Sequence, residues 1–342
     1  MDNAMDIQFE RYHLQCDLLS PLQGFETVSV PTEVRIDPLT KRRCRIITWG
    51  LPDTGRIDLS RMVEESRGCI FCPENVHLKT PKFLKEIAPE GRLSRGEAVG
   101  FPNLFPAGSY GSVIVLCSAH FRPLNELTPS LYEDGLSLAV EIIRRTVAYD
   151  PNGRFWQVSQ NFLHPAGSSI LHPHLQVIGD PIPTNEMEWL REAGASYYER
   201  NRSIYWQDLV RKEEELGERY IAKTGNVHWF VSFAPIGFNE VCAVVEGHSS
   251  LLTLTPADLS LLARGIVSTL RYYHDKNLNS FNLTFYSISG EETHWLLLRI
   301  ISRTPLQPYY LNDWTSFEAL HSELTLNIYP EGLCREIRPY FS

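Results

Sequence analysis

Two parts of the chain follow the same order of sequence features. Residues 112–129 (SVIVLCSAHFRPLNELTP) and 241–256 (VCAVVEGHSSLLTLTP) each contain an apolar run, a histidine, and a Leu-Thr-Pro that opens a long amphipathic helix. The stretch 281–302 then occupies the place in the second copy that 156–179 has in the first. We interpret this order as an internal duplication of about 110 residues, which would give an α+β fold of two tandem repeats. The alternative is a chance similarity between two strand-and-helix units.

Length and composition agree with two such halves. The 342 residues are 43% hydrophobic and 21% charged, which is enough apolar material for a large core. We predict an N-terminal catalytic half over residues 1–184 and a C-terminal degenerate half over residues 185–342. The net charge of −9 argues against a nucleic-acid surface. We expect neither a secretory signal nor a membrane-spanning helix, because no apolar run has the required length and flanks.

The cysteines indicate a reducing compartment and a local site. Their number is odd, seven, and they are scattered along the chain, so we expect a cytoplasmic protein without a disulfide framework. Two of them form a C-x-x-C pair, Cys69 and Cys72. In a cytoplasmic chain this spacing is typical of a metal knuckle or of a redox dithiol.

The apolar periodicity predicts strands alternating with helices in the first half and a charged helical region after it. The predicted strands are 33–49 with a turn at Asp37-Pro38, 109–118, 155–163 and 172–179, and the predicted helical segments are 129–150 and 185–222.

Three polar residues stand at alternate positions within an otherwise apolar run. These are His172, His174 and Gln176, in the sequence LHPHLQV. Because side chains alternate between the two faces of a strand, all three should share one face while the intervening residues pack on the other. Pro173 cannot donate to a sheet ladder, so it belongs at an edge or among the first residues of the strand.

A neutral imidazole on such a face can act as a nucleophile near pH 7. We predict that His174 attacks the α-phosphorus of a nucleotide while its other ring nitrogen donates to a carbonyl or carboxylate group. The amide of Gln176 and the hydroxyl of Ser169 could hold the phosphate oxygens, and the turn at Gly167-Ser168-Ser169 could offer backbone N–H groups. Since Gln176 cannot act as an acid or base, the pattern favours transfer to an acceptor over hydrolysis.

His172 requires a separate explanation. Together with Cys69, Cys72 and His120 it would make a tetrahedral Cys₂His₂ site for Zn²⁺, of the closed kind that is structural. The site would hold the strand that carries His174 against the segment that carries the C-x-x-C. The alternative is an idle or redox C-x-x-C with unrelated histidines.

The ordered set of these motifs resembles the galactose-1-phosphate uridylyltransferase family of the histidine-triad superfamily. The resemblance covers residues 33–180 well and 226–340 loosely. The matching motifs are Arg35-Ile-Asp-Pro-Leu-Thr40, the C-x-x-C, Asn103-Leu-Phe-Pro-Ala107, the strand that ends at His120, Asn161, the Gly-x-Ser of Gly167 and Ser169, and His172-Pro-His-Leu-Gln176.

The resemblance implies a histidine-triad-like fold, in which two tandem units form a mainly antiparallel sheet with helices on one side. It implies a homodimer that acts on a nucleotide sugar together with phosphate or a sugar 1-phosphate. His174 would be the nucleophile. Residues of the substrate site would be Gln176, Asn103, Asn161, Gly167, Ser168, Ser169 and Arg35, and the zinc ligands would be Cys69, Cys72, His120 and His172.

The sequence also departs from the family pattern. Leu104 follows Asn103 where uridylyltransferases tend to have an aspartate, so this motif looks more like the ADP-glucose phosphorylase branch. The second half has His294-Trp-Leu-Leu-Leu-Arg-Ile300, which predicts no second metal site. The alternatives are a nucleotide phosphorylase or hydrolase of the same superfamily and a non-catalytic nucleotide-binding protein.

Overall fold

The structure is a computed structural model that describes residues 7–47, 55–306 and 312–342. Its strands form two sheets. The strands are β1 (Arg11–Ser20), β2 (Glu26–Ile36), β3 (Arg43–Ile46), β4 (Leu93–Arg95), β5 (Ala98–Pro102), β6 (Tyr110–Val115), β7 (Phe155–Phe162), β8 (His174–Asp180), β9 (Tyr220–Thr224), β10 (Val227–Phe230), β11 (Phe238–Val245), β12 (Ser280–Ile288), β13 (Leu296–Arg303) and β14 (Leu324–Leu326).

The helices vary from one and a half to six turns. They are α1 (Ser60–Glu65), α2 (Pro73–Lys79), α3 (Pro129–Tyr149), α4 (Asn185–Asn201), α5 (Tyr205–Leu216), α6 (Pro256–Asp275), α7 (Ser316–His321) and α8 (Pro330–Ile337). Proline at the first helical position begins α3 and α6, where its missing N–H group costs no hydrogen bond. In the described ranges, no helix combines the length and apolarity needed to cross a bilayer.

The larger sheet has ten strands, ordered β4-β5-β6-β8-β7-β12-β13-β11-β10-β9, and every neighbouring pair is antiparallel. The predicted α+β class and mainly antiparallel sheet are therefore confirmed. Five strands precede α4 and five follow it, and the second set runs outward from β12 in the order in which the first runs outward from β7. The long helices α3 and α6 hold equivalent places in the two sets.

Helices pack on both faces of this sheet, so the expectation of helices on one side only is wrong. The main core lies between the sheet and the helices α3 and α6. A second core lies on the opposite face, where Leu190 of α4 and Trp206 of α5 pack with Phe155, Tyr286 and Leu297 of the strands. This second core covers mainly strands of the second half, and the equivalent face of the first half keeps an open polar part.

The smaller sheet has the order β1-β2-β3-β14. Its first two strands pair over ten residues from Arg11↔Arg35 to Ser20↔Glu26, and β1 is exposed along nearly its whole length. We refer to β1 and β2 with their connecting turn as the arm. The pairing of β14 with β3 ties the C-terminal region to this sheet.

Most predicted elements are present with shifted ends. The strands predicted at 109–118, 155–163 and 172–179 are β6, β7 and β8, and the helix predicted from Pro129 is α3. The strand–turn–strand at 33–49 is confirmed through Ile46, whereas Thr48 and Trp49 lie outside the described residues. The helical region at 185–222 is two helices, and its end is strand β9, because Gly217 adopts a left-handed conformation that ends α5.

Candidate active site

His174 has a fixed tautomer. It is the first residue of β8, and its ring Nδ1 lies 2.8 Å from the backbone carbonyl oxygen of His172. A carbonyl oxygen only accepts hydrogen bonds, so Nδ1 carries the proton and Nε2 has a free lone pair. This is the arrangement that a nucleophilic imidazole requires.

The environment of His174 keeps the ring neutral. The residue is 8% exposed, and burial lowers its pKa below the ordinary value, although the hydrogen bond to His172 acts in the other direction. Nε2 has no hydrogen bond within the described residues, and this atom is not fully buried. The free nitrogen therefore reaches the accessible side of the sheet.

Four candidate metal ligands lie together as the sequence predicted. The ligand atoms of Cys69, Cys72, His120 and His172 are all within 4.8 Å of one another. The two sulfur atoms are 3.7 Å apart, and Nδ1 of His120 is 3.4 Å from Sγ of Cys72. Nδ1 of His172 lies 3.7 and 3.9 Å from the two sulfur atoms. A tetrahedral zinc site with ordinary bond lengths has edges of roughly 3.3–3.8 Å. The four distances above are close to these edges, and the remaining pairs, which lie within 4.8 Å, would need to close by at most about 1 Å around a zinc ion.

The far ring nitrogens of both histidines are also held. Nε2 of His172 donates to the carbonyl oxygen of Cys117 over 2.7 Å, and Nε2 of His120 lies 3.0 Å from Oγ of Ser66. These contacts aim both Nδ1 atoms at the sulfur atoms, in the way that outer hydrogen bonds orient metal-binding histidines.

The Cys69 thiol does not have the property of a reactive redox cysteine. Burial raises the pKa of the Cys69 thiol to about 11, whereas reactive cysteines have a lowered pKa. The amide of Asn75 donates to the carbonyl oxygens of Gly68 and Cys69 and so fixes the backbone turn. We call residues 68–72 the knuckle. Its donor set favours a bound metal ion over thiol–disulfide chemistry.

Phe71 joins the knuckle to His174. Its ring lies edge-on to the ring of His174, with centroids 5.1 Å apart, and also contacts His172 at 6.4 Å. Phe71 packs with Val113 and Val115 of β6, which pair across the sheet with Gln176 and His174. Directly opposed residues share a face, so the knuckle covers the sheet on one side of His174.

On the other side of His174 the sheet presents a polar strip. The strip crosses three strands in register, because Ser159 pairs with both Gln176 and Thr284, and Asn161 pairs with Asn282. All five residues are partly exposed. The strip consists of Ser159, Asn161, Gln176, Asn282 and Thr284. The amide of Gln176 has no hydrogen-bond partner among the described residues, so it is available to a ligand.

The loop between Leu163 and Ser169 is strained and closely bonded. Leu163 has φ 68° and ψ 167°, a conformation almost restricted to glycine, while its side chain is buried in the core. Gly167 has φ 87°. The N–H groups of Gly167 and Ser168 donate to the carbonyl oxygens of His164 and Leu163. They are therefore not free for an anion, which corrects the expectation that this turn offers them.

The two serines of the loop have different positions. Ser168 is 6% exposed, and its hydroxyl donates to the carbonyl oxygen of Ile170 over 2.7 Å. This is a structural role, and it argues against the predicted contact with substrate. Ser169 is exposed and its hydroxyl has no hydrogen bond within the described chain, so it remains the candidate phosphate contact.

Arg35 lies away from the polar strip, whereas Asn103 lies beside Gly111 of β6, the strand that pairs with β8. Arg35 belongs to the smaller sheet and is 1% exposed, with its guanidinium bound to the carboxylates of Glu33 and Glu331 and to the carbonyl oxygen of Phe233. It is therefore not brought to the polar strip, contrary to expectation. Asn103 directly follows β5 in a partly exposed turn, where its Oδ1 accepts from the N–H of Phe105 over 3.1 Å.

The sequence analysis did not predict three contributors to the site, which are Phe71, Asn282 and Thr284. Phe71 lies between the two cysteines, and its spacing from them was a usable signal. Asn282 and Thr284 come from the second half, which the motifs described as degenerate. Their alternation in FNLTF would place both on one face of a strand, but only the β7–β12 pairing shows that this face continues the active one.

The equivalent face of the second half is closed. His294 is buried, and its Nε2 donates to the carbonyl oxygen of Tyr286 over 3.1 Å. Trp206 of α5 lies edge-on to this ring, with centroids 6.0 Å apart. A ligand therefore has access to the polar strip and not to the face beside His294.

Comparison with known proteins agrees with this architecture. No protein-family profile matches the chain. An uncharacterized protein of Archaeoglobus fulgidus is 32% identical over 338 residues, which is 97% of this chain and 99% of the relative.

Solved structures share the fold at low identity. A GALT-like protein and an ADP-glucose phosphorylase with bound ADP-glucose, both from Arabidopsis thaliana, each superpose with a TM-score of 0.68 at 17% identity. A uridylyltransferase superposes with a TM-score of 0.66 at 19% identity. Each comparison covers 90% of this chain and 98% of the other. The chain thus belongs to one family with the archaeal protein and has the fold of the galactose-1-phosphate uridylyltransferases and their ADP-glucose phosphorylase branch, as its motifs indicated.

Proposed function

We propose that the protein is a nucleotidyltransferase that works through a covalent nucleotidyl-His174 intermediate. Nε2 attacks the α-phosphorus of a nucleotide sugar, and the bond from that phosphorus to the bridging oxygen breaks, which releases sugar 1-phosphate. Phosphate or another sugar 1-phosphate then attacks the same phosphorus and returns the electron pair to Nε2. The observation that carries this proposal is the fixed tautomer of His174, which leaves Nε2 free at the polar strip.

The neighbouring residues have the chemistry for this transfer. Gln176 and Ser169 carry uncommitted polar groups that can donate to phosphate oxygens as charge develops. Asn161 and Asn103 are the proposed nucleotide contacts, with Gly167 allowing the turn that presents Ser169. The Arabidopsis structure with bound ADP-glucose has the same fold, which supports a nucleotide sugar as the substrate class. The nucleobase and the sugar are open in this proposal.

We propose Zn²⁺ as the ion held by Cys69, Cys72, His120 and His172. When bound, it would supply a structural cross-link between the knuckle and the start of β8, since all four ligand positions come from the protein. His172 provides both a ligand nitrogen and the carbonyl group that holds His174. The ion would therefore act on the reaction only by keeping the nucleophile in place.

The two halves have different proposed roles. Residues 1–184 would form the catalytic half, and residues 185–342 a degenerate copy whose equivalent face has been filled by α4 and α5. The boundary lies at Thr184, the N-cap residue of α4. A cytoplasmic location stays a prediction, and all seven cysteines, which lie in the described ranges, are free thiols.

We also propose a homodimer formed through the arm. On one face of the arm Tyr12, Leu14, Cys16 and Leu18 stand opposite Val34, Thr32, Val30 and Val28, and the tip exposes Leu22 and Phe25. Except for the buried Val34, these side chains form one continuous, largely exposed apolar face that a partner would bury. A second copy is the occupant that is always present at equal concentration, and a two-fold arrangement would cover both arms at once.

Two alternatives share the same site. If water or phosphate is the acceptor, the protein is a hydrolase or a nucleotide phosphorylase, and the absence of an acid or base at Gln176 favours phosphate. If no transfer occurs, the protein is a nucleotide-binding protein.

The decisive experiment is to incubate the protein with a panel of ADP- and UDP-sugars and measure its intact mass. We expect a nucleotidyl adduct that maps to His174, is lost in His174→Asn, and persists in the control His248→Gln, whose ring bonds only to Thr253 among the described residues. Adding phosphate or a sugar 1-phosphate should discharge the adduct, and product analysis then identifies the acceptor. Tight nucleotide binding with no adduct from any sugar would contradict the proposed enzyme and favour the binding protein.

A further inference from the structure

Four side chains form a continuous hydrogen-bonded chain from the second half to the catalytic half. Asp313 accepts two hydrogen bonds from Arg303, at 2.6 and 2.8 Å. Nη1 of Arg303 donates to Oδ1 of Asn282 over 3.0 Å. Nδ2 of Asn282 donates to Oδ1 of Asn161 over 2.7 Å and to the carbonyl oxygen of Ala166 over 2.8 Å.

The chemistry of the end groups fixes the orientation of both amides. Arginine can only donate, so the atom of Asn282 that faces Arg303 must be the oxygen. A backbone carbonyl can only accept, so the atom of Asn282 that faces Ala166 must be the nitrogen. The same nitrogen faces Asn161, whose nearer atom must then be its oxygen. The donor and acceptor at each step thus follow from the guanidinium of Arg303 and the carbonyl group of Ala166, without an arbitrary choice of the amide oxygen and nitrogen atoms.

This direction leaves the amide nitrogen of Asn161 facing away from Asn282. Among the described residues Nδ2 of Asn161 has no hydrogen-bond partner, and the residue is partly exposed on the polar strip. Asn161 follows Ser159, the register partner of Gln176, by two positions on the same face of β7. Its N–H groups are thus offered to the space that Nε2 of His174 also borders.

The outer end of the chain is well anchored. Arg303 is 17% exposed and Asp313 is 9% exposed, and their contact is bidentate, which is the strong form of an arginine–carboxylate pair. Asp313 also accepts the N–H of Thr304 over 3.0 Å. Asp313 therefore fixes the guanidinium of Arg303 in the position from which Nη1 donates to Asn282.

We propose that Asn282 and Arg303 are positioning residues that lock Asn161 as a hydrogen-bond donor to an acceptor oxygen of the bound nucleotide. This inference rests on the proposed function, and it assigns the second half a part in a site whose motifs all lie in the first. The acceptor oxygen belongs either to the phosphate or to the ribose. Both are electron-rich oxygens that an outward N–H group binds and an outward carbonyl group repels.

The test reverses the direction of the hydrogen bond between Asn282 and Asn161. In Asn282→Asp the new carboxylate accepts from Arg303 and can no longer donate to Asn161 or to the carbonyl oxygen of Ala166. The amide of Asn161 must then turn, so that its nitrogen faces the carboxylate and its oxygen points outward. We expect the second-order rate constant of His174 labelling to fall ~10–100-fold, the cost of turning one favourable polar contact into a repulsive one. Asn161→Asp alone should lower the rate at least as much, because its carboxylate still accepts from Nδ2 of Asn282 and presents its other oxygen outward.

Two further variants separate positioning from stability. Arg303→Lys keeps a donor to Asn282 and should retain most of the labelling rate. Arg303→Met should give a loss smaller than that of Asn282→Asp, because the carbonyl oxygen of Ala166 still holds the nitrogen of Asn282. Asn239→Asp is the matched control, since Asn239 bonds to Ser302 on the opposite face of β13 and should label at the rate of the parent protein. Thermal melting of each variant shows whether a lower rate comes from lost folding.

The analogue used identifies the acceptor oxygen. A penalty that disappears with a 2′,3′-dideoxy nucleotide sugar assigns the contact to the ribose, and one that persists assigns it to the phosphate. An unchanged labelling rate in a folded Asn282→Asp protein, or in a folded Asn161→Asp protein, would overturn the inference while leaving the transferase proposal standing. Binding of AMP and UMP by calorimetry gives a readout without turnover: a parent protein that binds but never labels refutes the transferase alone, and unchanged binding in Asn282→Asp then refutes the lock.

Discussion

The ring of Phe71 meets the ring of His174 edge-on, with centroids 5.1 Å apart and planes at 64°. Phe71 lies between the cysteines of the knuckle, and His174 follows the candidate ligand His172 by two residues. The candidate metal site and the proposed nucleophile therefore form one packed unit, in which the carbonyl group of His172 and the side chain of Phe71 both contact the ring of His174. This coupling makes the knuckle testable through the chemistry of His174.

Replacing Phe71 with leucine should weaken the reaction more than the fold. Leucine keeps the apolar contact with β6 but loses the edge-on ring, a change that costs about 1 kcal/mol. We expect labelling of His174 to slow roughly 5- to 10-fold with the metal content unchanged. Intact-mass kinetics and elemental analysis on one sample measure both. A parent-like rate would show that the ring does not position His174.

Replacing Cys72 with serine should remove the metal. We expect the parent protein to carry about one zinc ion per chain and the variant far less, with a melting temperature lower by on the order of 10 °C. Cys334→Ser is the control, because Cys334 is also buried and its donation to the carbonyl oxygen of Tyr220 can be kept by a hydroxyl group. Full stability of Cys72→Ser without metal would exclude a structural zinc site.

The sequence allowed the local features of the site to be predicted. Alternation in LHPHLQV predicted the strand and the shared face of His174 and Gln176, and two separate pairs of sulfur and imidazole groups predicted the metal cluster. These inferences succeeded because strand periodicity and metal geometry are set by a few residues close in sequence or of distinctive chemistry.

The features of the site that could not be predicted from the sequence depend on contacts between segments that are distant along the chain. Asn282 is 121 residues from Asn161, and only the register of β12 against β7 brings them together. Arg35 matched a family motif, yet its guanidinium is neutralised by Glu331, which is 296 residues away. Ser168 and Ser169 look equivalent in sequence, and the left-handed conformation at Gly167 sends one inward and the other outward.

The ion pairs at Glu331 should make stability depend on acid pH. Burial alone would raise the pKa of this carboxyl group, but hydrogen bonds and charge from Arg35 and Arg219 outweigh it and lower the pKa to about 2 from an ordinary 4.5. A lowered pKa in the folded state adds stability that is complete above about pH 4.5 and is lost as the pH falls towards 2.

We therefore expect Glu331→Gln to lower the free energy of unfolding at pH 7 by about 3 kcal/mol and to unfold at a lower urea concentration. The difference from the parent protein should become smaller below pH 4.5. Urea midpoints from pH 7 to pH 3 measure this convergence. Glu336→Gln is the control, since Glu336 forms a half-exposed pair with Lys276 that should contribute less than about 1 kcal/mol. A constant difference across this pH range would mean that the carboxylate charge is not the cause.

A charge on the apolar face of the arm should prevent dimer formation. Leu14 is 46% exposed, and in Leu14→Arg a desolvated charge would have to enter the proposed interface. We expect light scattering to give twice the chain mass for the parent protein and the single chain mass for the variant. Gln15→Arg, on the opposite face of the same strand, should stay dimeric. A monomeric parent protein would refute the proposed role of the arm.

The two serines of the active-site loop should separate catalysis from stability. Ser169→Ala removes an exposed hydroxyl that has no hydrogen bond within the described chain, so we expect labelling of His174 to slow roughly 10- to 100-fold, as when one donor to a developing phosphate charge is lost. Ser168→Ala leaves the carbonyl oxygen of Ile170 without its donor, so we expect a loss of about 1 kcal/mol in unfolding free energy with the labelling rate nearly unchanged. The labelling rate and the urea midpoint are measured for both variants, and we expect Ser169→Ala to change mainly the rate and Ser168→Ala mainly the midpoint. The opposite pattern, a slow Ser168→Ala and a fast Ser169→Ala, would mean that the loop presents its other side to the nucleotide.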